Sequence, residues 1–295
     1  MAKGTVAVDR NTHAQSKQAS NAQTFMNSSP AKNFQVLLER ISLTASERTA
    51  ALRRAESVCR NLNNYPLVQD CFVTGSLARS TAIQTFSDVD IVAVIRNEPN
   101  ISEDSTLAIS TISGLLSRTY VEVQDFDSAV RITFPSELGV DVVPALSAGN
   151  NSSGFALYKI PIEQRAWIDY APEEQNQQIA QLTRKLGEGF KHAIRLTKWW
   201  SRTHGSPIPS YEIEYIASRT AKNWKHIPPP EEALTAFLGE ATKISKKLAD
   251  RRQSVVREAS LIAQEALELS AQGDTVGSIT RWRCLLGEQF PAVVF

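Results

Sequence analysis

Two aspartates, Asp88 and Asp90, stand beside and within a run that otherwise reads as a buried strand, Val89 to Ile95. Carboxylates are rarely buried on a strand unless they are paired or bind a metal. Side chains alternate across a strand, so residues two apart project from the same face. Asp88 and Asp90 therefore point the same way. A third aspartate, Asp141, sits in the short apolar run "GVDVVPAL". If the two strands are neighbours, three carboxylates converge, and three like charges need a counter-charge. Magnesium, held by carboxylates and by substrate phosphates, supplies one. Two such ions about 4 Å apart can activate an attacking hydroxyl and stabilise a leaving pyrophosphate. Upstream, Gly75-Ser76 ends an apolar run. A glycine there lets backbone approach a ligand closely, successive N–H groups can hold a phosphate, and Ser76 adds a hydroxyl. Alone, "GS" carries little weight and "DVD" could be a solvated strand end. Together with a third aspartate in an apolar strand, they point to phosphoryl chemistry.

The elements that must position these residues follow from periodicity. Residues 1–30 are polar and rich in Ser, Asn, Gln and Ala, and read as a mobile tail. A helix is expected from Ala31, with Phe34, Leu37, Leu38 and Ile41 on one face. A second begins at Thr44, where Glu47 three residues on completes a capping box. Strands are expected over 71–75, 88–95, 120–125, 129–134 and 138–143, with a helix over 103–118. The segment "AVRITFPSELGVDVVPAL" reads as a hairpin about "PSELG". From Pro172 the pattern is helical, with helices expected over 173–203, 210–225, 231–250, 252–271 and 276–287. The predicted class is α+β. A mixed-sheet catalytic lobe over 31–165 precedes a helical, nucleotide-binding lobe over 166–295, with the site in the cleft between them.

Composition narrows the alternatives. Net charge is +1, from 32 basic and 31 acidic residues. That balance disfavours a surface built to bind nucleic acid strongly or to coat a membrane. The three cysteines (Cys59, Cys71, Cys284) and four histidines are scattered, which predicts neither a zinc site nor a disulfide framework. No apolar run is long enough to span a bilayer and no signal peptide is evident, so a cytoplasmic location is expected.

These residues resemble the DNA polymerase β-like nucleotidyltransferases, whose pattern is G-S, then D-x-D, then a later D. More closely, "GSLARSTAIQTFSDVDIVAVI" resembles the bacterial cyclic GMP–AMP synthase/DncV-like nucleotidyltransferases. "WIDYAPEEQNQQI", "IRLTKWWSRTHGSPIPSYEIEYI" and "RWRCLLGEQFP" are similar to later parts of that family. The resemblance spans roughly residues 34 to 291. One departure is Ser80, where the family usually has glycine, and this stiffens the loop before Asp88. The zinc-binding insertion of the animal DNA sensor has no counterpart.

The resemblance implies a metal-dependent enzyme that makes a cyclic di- or oligonucleotide from nucleoside triphosphates. It also implies an antiphage signalling setting, in which the product activates a downstream effector, with a regulatory protein as a further partner. Asp88, Asp90 and Asp141 would ligate two Mg2+ or Mn2+ ions, with Asp141 nearest the attacking hydroxyl. Gly75, Ser76, Lys198 and Ser210 would hold phosphates, and Tyr211 would stack on a nucleobase. From the residues alone, Lys198 could be a solvated helix lysine, Ser210 an N-cap and Tyr211 a core residue. Arg79 could meet either a phosphate or solvent. Trp199 and Trp200 read as packing residues, and Lys243, Lys246, Lys247, Arg251 and Arg252 as a wet helix face. Two other readings remain: transfer of one nucleotide to an RNA, small-molecule or protein acceptor, and a non-catalytic sensor or scaffold.

Overall fold

A strand pair with two registered aspartates forms the centre of the molecule. The computed structural model describes residues 29–84, 88–135, 138–162, 166–244 and 250–292, so residues 1–28 of the expected N-terminal tail lie outside the described residues, while Ser29 and Pro30 cap and begin the first helix. Five strands run in the order β1 (Val68–Val73), β2 (Val89–Ile95), β5 (Val140–Asn150), β4 (Val130–Ile132), β3 (Val123–Asp125). β2 and β5 are parallel, and the other pairs are antiparallel. The far half of β5 turns to pair with β6 (Ala156–Ile162), which pairs with β7 (Ala166–Tyr170).

Alternation along β2 divides its side chains between two faces. Val89, Ile91, Ala93 and Ile95 pack with Val140 and Val142 against α2 (Ala45–Leu62) and α5 (Ser105–Leu116), through Ala55, Val58, Ile109 and Ile112. Short α4 (Pro99–Glu103) adds Ile101 to this layer. Val92, Val94 and Ala145 face the other way, against Phe72, Tyr158 and Tyr170. The aspartates share this second face.

The helical core gathers α6 (Pro172–Leu186), α7 (Gly189–Thr203), α8 (Ser210–Ala221), α9 (Pro230–Ile244), α10 (Asp250–Ala271) and α11 (Thr275–Leu286). It also takes α1 (Pro30–Ile41) from the other end of the chain. Phe34 of α1 stacks edge-on to Trp282 at 4.9 Å and to Phe290 at 5.1 Å. Asn33 Nδ2 and Arg40 Nη1 donate to the carbonyls of Pro291 and Gln289. The packing therefore runs differently from a division at residue 165: α1 joins the helical core, while β7 extends the sheet.

The capping box forms as expected, with Thr44 N–H donating to Glu47 Oε2 and Glu47 N–H to Thr44 Oγ1. The helix expected over 173–203 is two helices. Gly187 adopts φ +80°, a conformation that favours glycine, and ends α6 by donating its N–H to Thr183 O. The hairpin arms pair as β4 and β5, and part of their turn lies outside the described residues. β6 and β7 were missed, since their partly exposed residues and Pro161 obscure the alternation. The expectation of no disulfide is overturned for one pair: Cys59 of α2 and Cys71 of β1 are bonded, because helix packing on the sheet brings their Cα atoms to 5.2 Å. Among the described residues no helix is long and apolar enough to cross a membrane.

Candidate active site

Parallel pairing places Asp90 directly opposite Asp141, at the starts of β2 and β5, with Asp88 just before β2. All three line a cleft of about 1360 Å3 between sheet and helices. That exceeds the usual volume for one drug-sized ligand, so it has room for more than one nucleotide. The expected convergence is thus onto one cleft wall. Of the three, Asp90 is the least compensated. No hydrogen bond reaches the Asp90 carboxylate among the described residues, and burial followed by the Asp141 charge pushes its pKa up to about 6. Asp88 is also raised, by burial and then by Asp141, against the opposing pull of Arg131 and Arg202.

Arg131 is the cation that the sequence reading missed. It lies opposite Asp141 in the β4–β5 register. Its Nε and Nη2 donate to Asp141 Oδ1 and Oδ2, both at 2.7 Å, and Nη2 also donates to Asp88 Oδ2 at 2.5 Å. Its guanidinium lies 5.2 Å from the Phe126 ring centroid. The hydrogen bonds to Asp141 lead the causes that raise its pKa, so it stays charged. A signal existed: Val130 and Ile132 carry the apolar alternation, so Arg131 faces the aspartates, and counting outward from the hairpin turn pairs it with Asp141. Among the described residues no three carboxylates, imidazoles or thiols already converge as a metal cage. Two of the aspartates are drawn onto Arg131 instead.

Gly75 is required by geometry. Its φ is +69°, and a Cβ there would lie 1.9 Å from Asp90 Oδ2. Thr74 N–H donates to the Asp90 carbonyl, holding the loop against β2. Gly75 opens the short α3 (Gly75–Ala78), and Ser76 lines the cleft beside it. Ser80, the departure from glycine, adopts φ +58°, in the left-handed region. Its carbonyl accepts from Arg195 Nη2 at 2.7 Å.

Across the cleft, α7 and α8 contribute Lys198, Ser210 and Tyr211. Lys198 is 2% exposed and is no solvated lysine. Its Nζ meets Glu214 Oε1 at 2.6 Å and donates to Thr81 Oγ1 at 3.1 Å. Burial pulls its pKa below the usual lysine value, against the opposing pull of Glu214. Arg79 is not a solvated arginine: it lines the cleft, Nε pairs with Glu214 Oε2 at 2.6 Å and Nη1 donates to Asn176. Gln175 Nε2 also donates to Glu214. Burial pushes the Glu214 carboxyl up, but Lys198, Arg79 and the Thr81 hydroxyl together leave it below its usual value. Glu214 had a sequence signal too, since it sits among Ile213, Ile216 and Ala217 on the buried stripe of α8.

Ser210 is not the N-cap, because Pro209 holds that position and Ser210 begins the helix. Tyr211 is not a core residue, since it is 63% exposed with its ring open to the cleft. Trp199 and Trp200 are packing residues, as expected. Of the basic run, Arg252 lines the cleft, while Lys246 and Lys247 lie outside the described residues.

A mixed sheet carrying aspartates on adjacent strands, facing a helical lobe across a cleft, is the fold of the polymerase β-like nucleotidyltransferases, and the chain is an enzyme of that class. Residues 28–182, over half of the chain, match the Second Messenger Oligonucleotide or Dinucleotide Synthetase (SMODS) domain, and the chain belongs to that family. It is similar to a cyclic AMP-AMP-AMP synthase of an Acinetobacter strain, 22% identical over 258 residues that cover 75% of this chain and 72% of that one. Its fold is that of E. coli CdnC solved with ATP (TM-score 0.74, 17% identity, 88% and 98% of the two chains). It is also that of Vibrio cholerae DncV (TM-score 0.63, 12% identity, 87% and 94%).

Proposed function

We propose that the protein joins nucleoside triphosphates into a cyclic oligonucleotide, releasing pyrophosphate at each bond, with Asp88, Asp90 and Asp141 as its catalytic carboxylates. The observation that carries this reading is the Asp90–Asp141 register on neighbouring strands, facing a cleft that Ser76, Ser210 and Tyr211 also line. The donor chemistry suits a hard divalent cation: the carboxylates offer only oxygen, and Asp90 is buried with a raised pKa that the Arg79 and Lys198 charges only partly oppose. Mg2+ or Mn2+, as two ions, would be held by Asp88, Asp90 and Asp141. Bound there, the metal would supply Lewis acidity to the reacting phosphate and hydroxyl.

The chain's own residues account for binding. Gly75 permits the loop to lie against Asp90, so that Ser76 reaches a phosphate. Ser210 meets the phosphates from the helical side, and Lys198 adds its charge from the cleft floor. Tyr211 offers its ring to a base. Asp141 accepts the proton of the attacking hydroxyl. A 2′- or 3′-hydroxyl attacks the α-phosphate of a second nucleotide, and a later attack closes the ring.

The name of the Acinetobacter relative favours adenosine triphosphate as a substrate and a ring of three nucleotides. A structure of E. coli CdnC with a HORMA protein favours a regulatory protein partner. We place the enzyme in the cytoplasm, where its substrates are, in an antiphage signalling system whose effector responds to the product.

Nuclease-treated protein given labelled triphosphates and Mg2+ or Mn2+, then phosphatase, tests the reading by mass spectrometry. A phosphatase-resistant ring is expected without added DNA or RNA. Label found only on an added RNA, small-molecule or protein acceptor would replace ring synthesis with single-nucleotide transfer. Product that forms only once a regulatory protein partner is added would keep ring synthesis, and a chain that binds nucleotide but makes no product even then would be a sensor or scaffold.

A further inference from the structure

Arg131 does more than neutralise. Its fork takes both oxygens of Asp141 and one of Asp88, two of the carboxylates that would hold a metal. We propose that Arg131 is a positioning residue that latches the aspartates, competing with divalent metal for Asp141 and Asp88, so that the metal enters by displacing its guanidinium. This rests on reading the aspartates as metal ligands.

Three features suit a latch that opens. The register fixes Arg131 beside Asp141, so it returns to the same place. Its side chain is 35% exposed, against 0% for the Glu214 side chain, so it can swing without unpacking a core. Phe126, 44% exposed, gives the guanidinium a ring to rest on, and the Phe126 N–H to Ala129 O bond closes the turn beneath it. A planar fork with two parallel N–H bonds also fits a carboxylate in a way that an ammonium cannot.

The test is Mn2+ affinity, read by electron paramagnetic resonance on the full chain without nucleotide. It compares wild type, Arg131→Met, Arg131→Lys and Asp90→Asn, each checked for folding by thermal melting. Arg131→Met should bind Mn2+ at least about tenfold more tightly than wild type, a difference of ~1.4 kcal/mol. Arg131→Lys, which keeps the charge and loses the fork, should fall between them. Wild-type affinity in Arg131→Met would overturn the latch. So would Arg131→Lys matching wild type, since charge alone would then explain the effect. Binding that is lost in Asp90→Asn but unmoved by either Arg131 variant would reject the latch and leave the metal site standing. No Mn2+ bound by wild type or by Arg131→Met at millimolar concentration would also overturn the latch, and the same titration repeated with a nucleoside triphosphate present would show whether the metal reading falls with it.

Discussion

Two carboxylate–cation assemblies face each other across the cleft, and they are built on opposite terms. On the helical side, Glu214 is fully buried and each of its oxygens is met by a cation and a neutral donor. On the sheet side, Asp88 and Asp141 share one arginine and remain part-exposed, and the Asp90 carboxylate receives no hydrogen bond among the described residues and feels only the charges of Arg79 and Lys198 against its burial. A saturated buried network fixes geometry and is costly to break. An undersaturated cluster at a cleft wall holds its charges at a cost to folding, which is where chemistry is found. The difference separates a residue that holds the two lobes together from residues that react, although all are acids near the same cavity.

The largest effects should fall on opposite measurements. Asp90→Asn should cut product formation by at least about a thousandfold, since a ligand of the reacting centre is lost. Its thermal stability should hold or rise. The folded pKa of Asp90 lies above the usual carboxylate value, so the folded state binds its proton more tightly than the unfolded chain does. That penalty on stability grows as pH rises from about 4 through 6, and is fully present at neutral pH. Glu214→Gln should instead lose about 3–5 kcal/mol of stability, because Lys198 and Arg79 are left buried without their counter-charge. Calorimetry beside a product assay checks both. A stable, inactive Glu214→Gln would erase the contrast.

Tyr211 extends the contrast to binding. Tyr211→Ala should weaken nucleotide affinity by about 1–3 kcal/mol, the contribution of one stacked base, while Tyr211→Phe keeps it. Equal affinity in both variants, by titration calorimetry, would place the base elsewhere.

Next in size is a pH effect confined to the sheet side. As pH falls through about 6, Asp90 takes up a proton and competes with metal, so Mn2+ affinity should weaken by up to about tenfold per unit below that point. Affinity that is flat from pH 7 to 5 would mean that Asp90 is not a ligand.

Much of this was legible, and the limits have physical reasons. Strand alternation alone put Asp88 and Asp90 on one face, and the apolar run around Asp141 gave its partner. A capping box announced α2. What periodicity could not give was who pays each charge. Arg131 and Glu214 earn their roles from contacts made across strands and between lobes, and Glu214 draws on residues more than a hundred positions away. The Gly187 break was hidden because α6 and α7 each carry a good apolar stripe, so the run read as one helix.

Ser80 ties the two assemblies together and gives the finest test of their division. The segment from Gly75 to Thr81 passes from one to the other: Gly75 lies against Asp90, while Arg79 and Thr81 reach Glu214. Between them Ser80 is held at φ +58°, with its carbonyl on Arg195. An L-residue there costs about 1–2 kcal/mol, whereas glycine adopts it freely but has more entropy to lose on folding. Ser80→Gly should therefore raise stability by a net amount of about 0.5–1 kcal/mol. The backbone bond from Arg195 does not depend on the side chain, so the loop should keep its path and the enzyme its rate. Higher melting temperature with unchanged turnover would show that the buried Glu214 network, not stiffness at Ser80, positions Gly75 and Ser76. Higher stability with turnover reduced severalfold would show that a flexible glycine lets the loop leave Asp90, which would move Ser80 from the fixed side of the comparison to the reacting side.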